Sequence, residues 1–220
     1  FGRQNWIQGG SASPYEFKVA NKYAGVLRID NYSLAGLRMG LSSYFGYSFN
    51  NSIQPSSAEK YKPIKGAVSI GSFDFEYKKR RVIARGYFDY GHLSDSEEIS
   101  RYNKSLTKNS PSPRTNVASD AIATGLEAGY DVFPLLCRKA ENRQLFIFGR
   151  YEHYDSMYKT VTNITDNEWC GRQRVVIGLN YFPIREVVIK AEYSAGILKS
   201  QYNNENSISV GIAYSGFFTK

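Results

Sequence analysis

The chain has 220 residues and a formal net charge of +8, with 18 Tyr, 13 Phe and 19 Gly but only 2 each of Cys, Met and His. Mean hydropathy is −0.43, and no run of about 18 apolar residues occurs. That excludes a transmembrane helix but not a membrane-spanning strand, whose apolar residues fall only at alternate positions. The basic residues do not gather on one stripe. They scatter through connections such as Lys78-Lys79-Arg80-Arg81 and Arg138-Lys139, without zinc-ligand spacing or an aromatic RNA-binding motif, so no nucleic-acid partner is expected.

The chain opens at Phe1 with neither a charged n-region nor an apolar h-region. Either a leader has been removed or the chain begins inside a longer protein. Segment 1–20, with Trp6, Gly9-Gly10 and Ser11-Ala12-Ser13-Pro14, reads as an external loop. Beyond it helical periodicity is nearly absent and period-two alternation dominates, which marks strands with two unlike faces. The spacing predicts strands over 22–30, 34–48, 66–77, 81–92, 121–133, 144–155, 173–182, 186–198 and 207–218. In the second, Leu37, Met39, Leu41, Phe45 and Tyr47 oppose Arg38, Gly40, Ser42 and Tyr44. In the third, Val68 and Ile70 sit on one parity and Phe73, Phe75 and Tyr77 on the other, which predicts a bulge near Gly71-Ser72. In the last, Ile208, Val210, Ile212, Tyr214 and Phe218 oppose Ser207, Ser209, Gly211, Ala213 and Ser215.

Alternation alone also fits a soluble sandwich, which would bind sugar or protein. Two features favour an antiparallel up-and-down transmembrane β-barrel spanning 22–218. The polar face mixes Gly, Ser and Ala with charged residues, as a wet lumen of limited width requires. Connections also alternate in length almost throughout: 31–33, 78–80 and 183–185 are short, 49–65, 93–120 and 156–172 are long, and 134–143 and 199–206 are medium. Outer-membrane barrels sort loops in this way, long outside and tight in the periplasm. Tyr and Phe near strand ends, such as Tyr47, Tyr90, Tyr130 and Tyr181, fit interfacial aromatic girdles.

The stretch Val210-Gly211-Ile212-Ala213-Tyr214-Ser215-Gly216-Phe217-Phe218 resembles the terminal signal strand of outer-membrane proteins, although Thr219 and Lys220 follow it. On that resemblance, Tyr214 and Phe218 are the residues offered to the barrel-assembly machinery. Gly178-Leu179-Asn180-Tyr181-Phe182-Pro183, a tight turn, and Val187-Val188-Ile189-Lys190-Ala191-Glu192-Tyr193 resemble the penultimate hairpin of the phosphate-selective porin O and P family. Phe148-Gly149-Arg150-Tyr151-Glu152-His153-Tyr154-Asp155 resembles that family's preceding strand. The resemblance runs over 144–218. It implies a porin in the outer membrane of a Gram-negative bacterium, surrounded by lipid and lipopolysaccharide, with trimeric assembly left open. The anion selectivity of that family rests on lumenal basic residues with no residue-by-residue match here.

Nine antiparallel strands cannot close in the usual even-numbered manner. Either residues 1–220 are the C-terminal part of a larger barrel, or a tenth strand lies within 1–20, around Tyr15–Val19. Parity turns Arg28, Arg38, Arg85, Arg150 and Lys190 inward, together with Asp30, Asp89, Glu127, Asp131, Glu152 and Glu192. Such charges set a transverse field across a pore, or pair to stiffen its wall. The pore-lining set is Arg38, Arg85, Glu127, Arg150, Glu152, Lys190 and Glu192.

The expected function is passive diffusion of small hydrophilic solutes, anions among them, with no cofactor, no metal and no chemical step. A plugged structural or docking barrel acting through its external loops is the alternative. A hydrolase would need His92 (near Ser94 and Asp95) or His153 (near Asp155 and Ser156) oriented toward a nucleophile. Cys137 and Cys170 fall at opposite ends of the barrel, about 25 Å apart. A disulfide needs Cα atoms within about 7 Å, so none is expected.

Overall fold

A computed structural model describes residues 23–47, 64–106, 116–137, 142–198 and 205–215. Nine strands form one sheet: β1 (Gly25–Leu34), β2 (Leu37–Tyr47), β3 (Ala67–Lys79), β4 (Val82–Leu93), β5 (Asp120–Asp131), β6 (Gln144–Lys159), β7 (Gly171–Ile184), β8 (Val187–Leu198) and β9 (Asn206–Tyr214). Each strand pairs antiparallel with its neighbours in sequence, in the order β1 to β9. The fold is therefore an all-β meander, and the described strands contain no second sheet against which a sandwich could pack. Among the described residues β1 and β9 each pair on one side only, and the sheet is not closed.

Strand ends agree with the sequence pattern to within a few residues, and the exceptions have local causes. The first turn lies at Ala35-Gly36, beyond 31–33. Gly36 takes φ +84° there, where a Cβ would stand 2.6 Å from the Lys78 carbonyl oxygen, so the turn needs glycine. The β1–β2 register shifts between Asn31 and Leu34. The Asn31 side chain accepts the Ser33 N–H at 3.0 Å, the short-range bond by which Asn bends a chain. The bulge expected near Gly71-Ser72 does not exist. Register with both neighbours is unbroken from Val68 to Tyr77. Two ladders hold β3 straight, so Val68 and Ile70 simply share a face with Asp74 and Glu76.

The expected loop 93–120 contains a helix, α1 (Ser96–Leu106). Ser96, Ile99 and Ser100 are buried, the i, i+3, i+4 spacing of one helix face. Glu97 and Glu98 complement the dipole of the first turn. A one-turn helix, α2 (Phe133–Leu136), joins β5 to the β5–β6 connection. Residues 1–20, where the external loop or a tenth strand is expected, and Phe218 lie outside the described residues.

The alternation of connection length holds from β1 to β5 and then breaks, because the β5–β6 connection after Asp131 is longer than those from Lys159 to Gly171 and from Leu198 to Asn206. The turns at 35–36, 80–81 and 185–186, with the α2 connection, lie at one end. The connections between β2 and β3, β4 and β5, β6 and β7, and β8 and β9 lie at the other. Cys137 is at the tight-turn end and Cys170 at the long-loop end, and both are free thiols.

Packing separates the two faces. One carries Leu41, Phe73, Phe88, Leu126, Ile147, Ile177, Ile189 and Ile212 across eight successive strands, all substantially exposed. Ile177 is 61% exposed and Leu126 54% exposed although both are mid-strand. Charged residues and glycines collect on the opposite face. The small buried clusters lie elsewhere, chiefly Ala118, Met157 and Ile164 at the long-loop end.

Candidate functional site: a charged belt across the polar face

Antiparallel pairing places directly opposed residues on the same face with Cβ atoms about 5 Å apart. The registers align Arg38 with Glu76, Glu76 with Arg85, Arg85 with Glu127 and Glu127 with Arg150. A single rung across β2–β6 thus carries five charges of alternating sign. Glu127 receives Arg85 at 2.7 Å and Arg150 at 3.5 Å. Arg150 also reaches Glu152 at 3.6 Å on its own strand and Glu192 at 3.8 Å on β8. Beside this rung, Arg28 and Arg38 share Asp30 and Asp74, with contacts of 2.7 Å for Arg28–Asp30 and for Arg38–Asp74. The Arg28 guanidinium lies over Gly40, where a Cβ would have to displace the Arg28 and Asp74 side-chain tips. A cavity of about 390 Å³ opens at the centre of the belt, lined by Arg38, Asp74, Glu76, Arg85, Glu127 and Arg150 among others.

Of the seven residues predicted to line a pore, Arg38, Arg85, Glu127, Arg150, Glu152 and Glu192 join this belt. Lys190 is on the same face but opposite Asn180 and Gly211, nearer the tight turns. It has no ion pair among the described residues. Asp131 is consumed locally, accepting the N–H groups of Phe133 and Leu145 at 3.1 and 3.0 Å. Asp74 and Glu76 were hidden from sequence reasoning because the supposed bulge left the parity of β3 undefined. Straight counting along β3 would have found them.

The polar face changes character on either side of the belt. Toward the tight turns it carries Phe146, Phe148 and Phe182, with Phe148 lying across Gly178. Toward the long loops it carries Tyr87, Tyr154, Arg172 and Arg174 around a second cavity of about 260 Å³. At the rim the long connections tie together. The Asp95 carboxylate accepts the N–H groups of Lys65 and Gly66 at 2.9 and 3.1 Å. These bonds hold its carboxyl below the usual carboxylate range. Buried Ser100 accepts the Val117 N–H at 2.9 Å, and Asn163 donates to Glu97 at 3.0 Å.

The histidines lie on the apolar face. His92 Nδ1 is 2.9 Å from Asp120, and the Tyr90 hydroxyl donates to the same oxygen at 2.5 Å. Ser119 donates to Asp120 rather than to the imidazole, so this is not the serine–histidine–carboxylate order of a nucleophilic triad. Ser94 and Asp95 bind residues 65–67 instead of His92. No cluster of His, Cys, Asp and Glu able to hold a metal occurs among the described residues. No protein-family model matches the chain, and no curated protein matches it significantly.

Proposed function

We propose that the nine strands form part of the wall of a closed β-barrel in a bacterial outer membrane, and that the polar face lines a passive pore for small hydrophilic solutes. The observation that carries this reading is the exposed apolar face. Soluble monomers rarely expose a contiguous apolar patch beyond a few hundred Å², whereas lipid requires one. A strand of twelve residues such as β5 is about 40 Å long. Tilted about 45°, it covers about 28 Å of depth, close to the apolar band of an outer-membrane barrel. The unpaired edges of β1 and β9 would be costly in lipid, where every backbone group needs a partner. Since β1 and β9 run in the same direction, antiparallel closure takes an odd number of further strands.

In that setting the belt is a wall element with nearly balanced charge. Adjacent opposite charges cancel each other's field over a few ångströms, so the pore filters by width more than by the sign of the solute. The surrounding lipid and lipopolysaccharide, insertion by the barrel-assembly machinery and the Gram-negative outer membrane all follow from this reading. Planar-bilayer conductance of the full chain tests it. Discrete, long-lived steps support the pore, and a folded barrel that inserts without passing current sinks it. The second reading, a plugged docking barrel, draws on the long loops, which pack together through α1, residues 116–119 and residues 161–165. The absence of conductance would favour it.

A further inference from the structure

A polar row interrupts the apolar face. Thr124, His153 and Gln173 lie directly opposite one another on β5, β6 and β7. Phe88 on β4 and Ile197 on β8 continue the row at its two ends. Two residues nearer the tight turns on the same three strands stand Leu126, Tyr151 and Val175, all exposed. Ile122 lies beyond Thr124 on the long-loop side. The row is therefore set inside the apolar face and not at its margin. On the barrel reading, Thr124 is separated from Leu126 by about 5 Å of depth, and hydrocarbon surrounds both.

The polar groups of this row are not all used within the chain. The Thr124 hydroxyl donates to the Tyr87 carbonyl at 3.0 Å, which leaves its oxygen free to accept. The Gln173 carboxamide has no hydrogen bond among the described residues, and His153 Nδ1 is enclosed without one. With no acceptor beside it, Nδ1 keeps its lone pair, and the neutral imidazole carries its proton on Nε2. Lipid tails offer neither a donor nor an acceptor to that N–H or to a carboxamide, and leaving such groups unmatched in hydrocarbon is costly.

Whatever covers the row must bring donors and acceptors to the same depth. A second copy inserted the same way does so by construction. Two such rows do not repel, because a neutral imidazole, a carboxamide and a hydroxyl carry no net charge. They also complement each other: the His153 Nε2–H donates, Thr124 accepts and Gln173 does both. A two-fold axis along the membrane normal sets the β7 end of one row against the β5 end of the other, with the two His153 side chains between them. The carboxamide oxygen of each Gln173 then accepts from His153 of the other copy. Nearer the tight turns, Ala84, Ala128 and Gly149 stand side by side on the same face, so little side chain holds a second wall away.

We infer that this row is a contact between two copies of the chain within the membrane, with His153 and Gln173 at its hydrogen-bonding centre. The inference rests on the barrel reading but not on conductance.

The test uses the full chain refolded in detergent, with barrel formation checked by heat-modifiable gel mobility. Sedimentation equilibrium in density-matched detergent reads self-association over a series of protein concentrations. A reversible dimer is expected. His153→Leu and Gln173→Leu should each raise its dissociation constant about three- to thirtyfold. Phe88→Leu, an apolar exchange at the end of the same row, should leave it unchanged. A photo-crosslinker in place of Val175, beside the row, should give a product of twice the monomer mass in bacterial outer membranes. A barrel that stays monomeric, and that His153→Leu stabilises in a urea titration, assigns the row to lipid and overturns the contact. A dimer indifferent to both leucine substitutions, or a crosslink to a chain of another size, overturns it as well. Failure of the barrel reading shows separately. A chain that never acquires heat-modifiable mobility removes the barrel and the contact together, whereas an inserted monomer removes the contact alone.

Discussion

Leu126 offers a direct test of the proposal that the apolar face meets lipid. It is the seventh of the twelve residues of β5, on the apolar face, and 54% exposed. About 20 Å of strand separates it from the far end, or about 14 Å of depth at a 45° tilt. On the proposed barrel reading, Leu126 therefore lies near the midplane of a band about 25 Å tall. An arginine there costs about 2–4 kcal/mol in a barrel, equivalent to a roughly 30- to 700-fold loss in the folding constant. Val82 is on the same face but opens β4 at the tight-turn end. Val82→Arg should cost only about 0–1 kcal/mol, because an interfacial arginine keeps its hydration. Urea titration of both variants in phospholipid vesicles, followed by gel mobility and fluorescence, gives the comparison. In a sheet whose apolar face meets water, both substitutions would be nearly neutral, within about 0.5 kcal/mol. Equal, small effects at both positions would therefore refute the lipid-facing assignment.

Other consequences can be checked independently. A Cβ at Gly178 would stand 2.6 Å from the Phe148 ring and 2.7 Å from the Ala191 carbonyl oxygen. Gly178→Ala should therefore cost about 1–3 kcal/mol in the same titration, whereas Gly211→Ala, which meets nothing within 4 Å, should cost far less. Asp95 has a depressed carboxyl pKa, so its anchoring of residues 65 and 66 is complete above the ordinary carboxylate pKa and is lost as pH falls through the lower folded value. Hydrogen exchange at the Lys65 and Gly66 amides should accelerate in strong acid in the native protein. In Asp95→Asn, which tolerates the φ of +57° at this position, this acid-dependent rise should be lost. Cys137 is exposed at the tight-turn end. A membrane-impermeant maleimide should spare it in intact cells and label it once the outer membrane is opened. Labelling in intact cells would invert the orientation.

Much of the fold was legible because a sheet imposes a period of two whatever surrounds it. Alternation placed nine strands in the chain, and loop length by parity sorted the two ends as far as β5. The inward set was mostly legible for the same reason. Arg38, Arg85, Glu127 and Arg150 follow from parity alone. The failures occur where local chemistry competes with that period. At β3 the apolar residues change parity partway along the strand, and only pairing on both sides shows that the backbone does not. At Asn31 a side chain bonds its own backbone and delays the turn. In α1 a helix of eleven residues sits inside a polar stretch, its buried face chosen by packing against residues 116–119.

By itself the sequence determined which residues share a face, since that depends only on counting along a strand. It could not determine which residues meet across strands, because register is set jointly by turns and by both neighbouring ladders. Only the tertiary structure aligned five residues of alternating charge on one rung, brought Arg150 among Glu127, Glu152 and Glu192, and laid Tyr87 over Gly125 with Arg172 and Arg174 beside it. Those arrangements join positions far apart in the chain, and the distance between them has no periodic signature in the sequence.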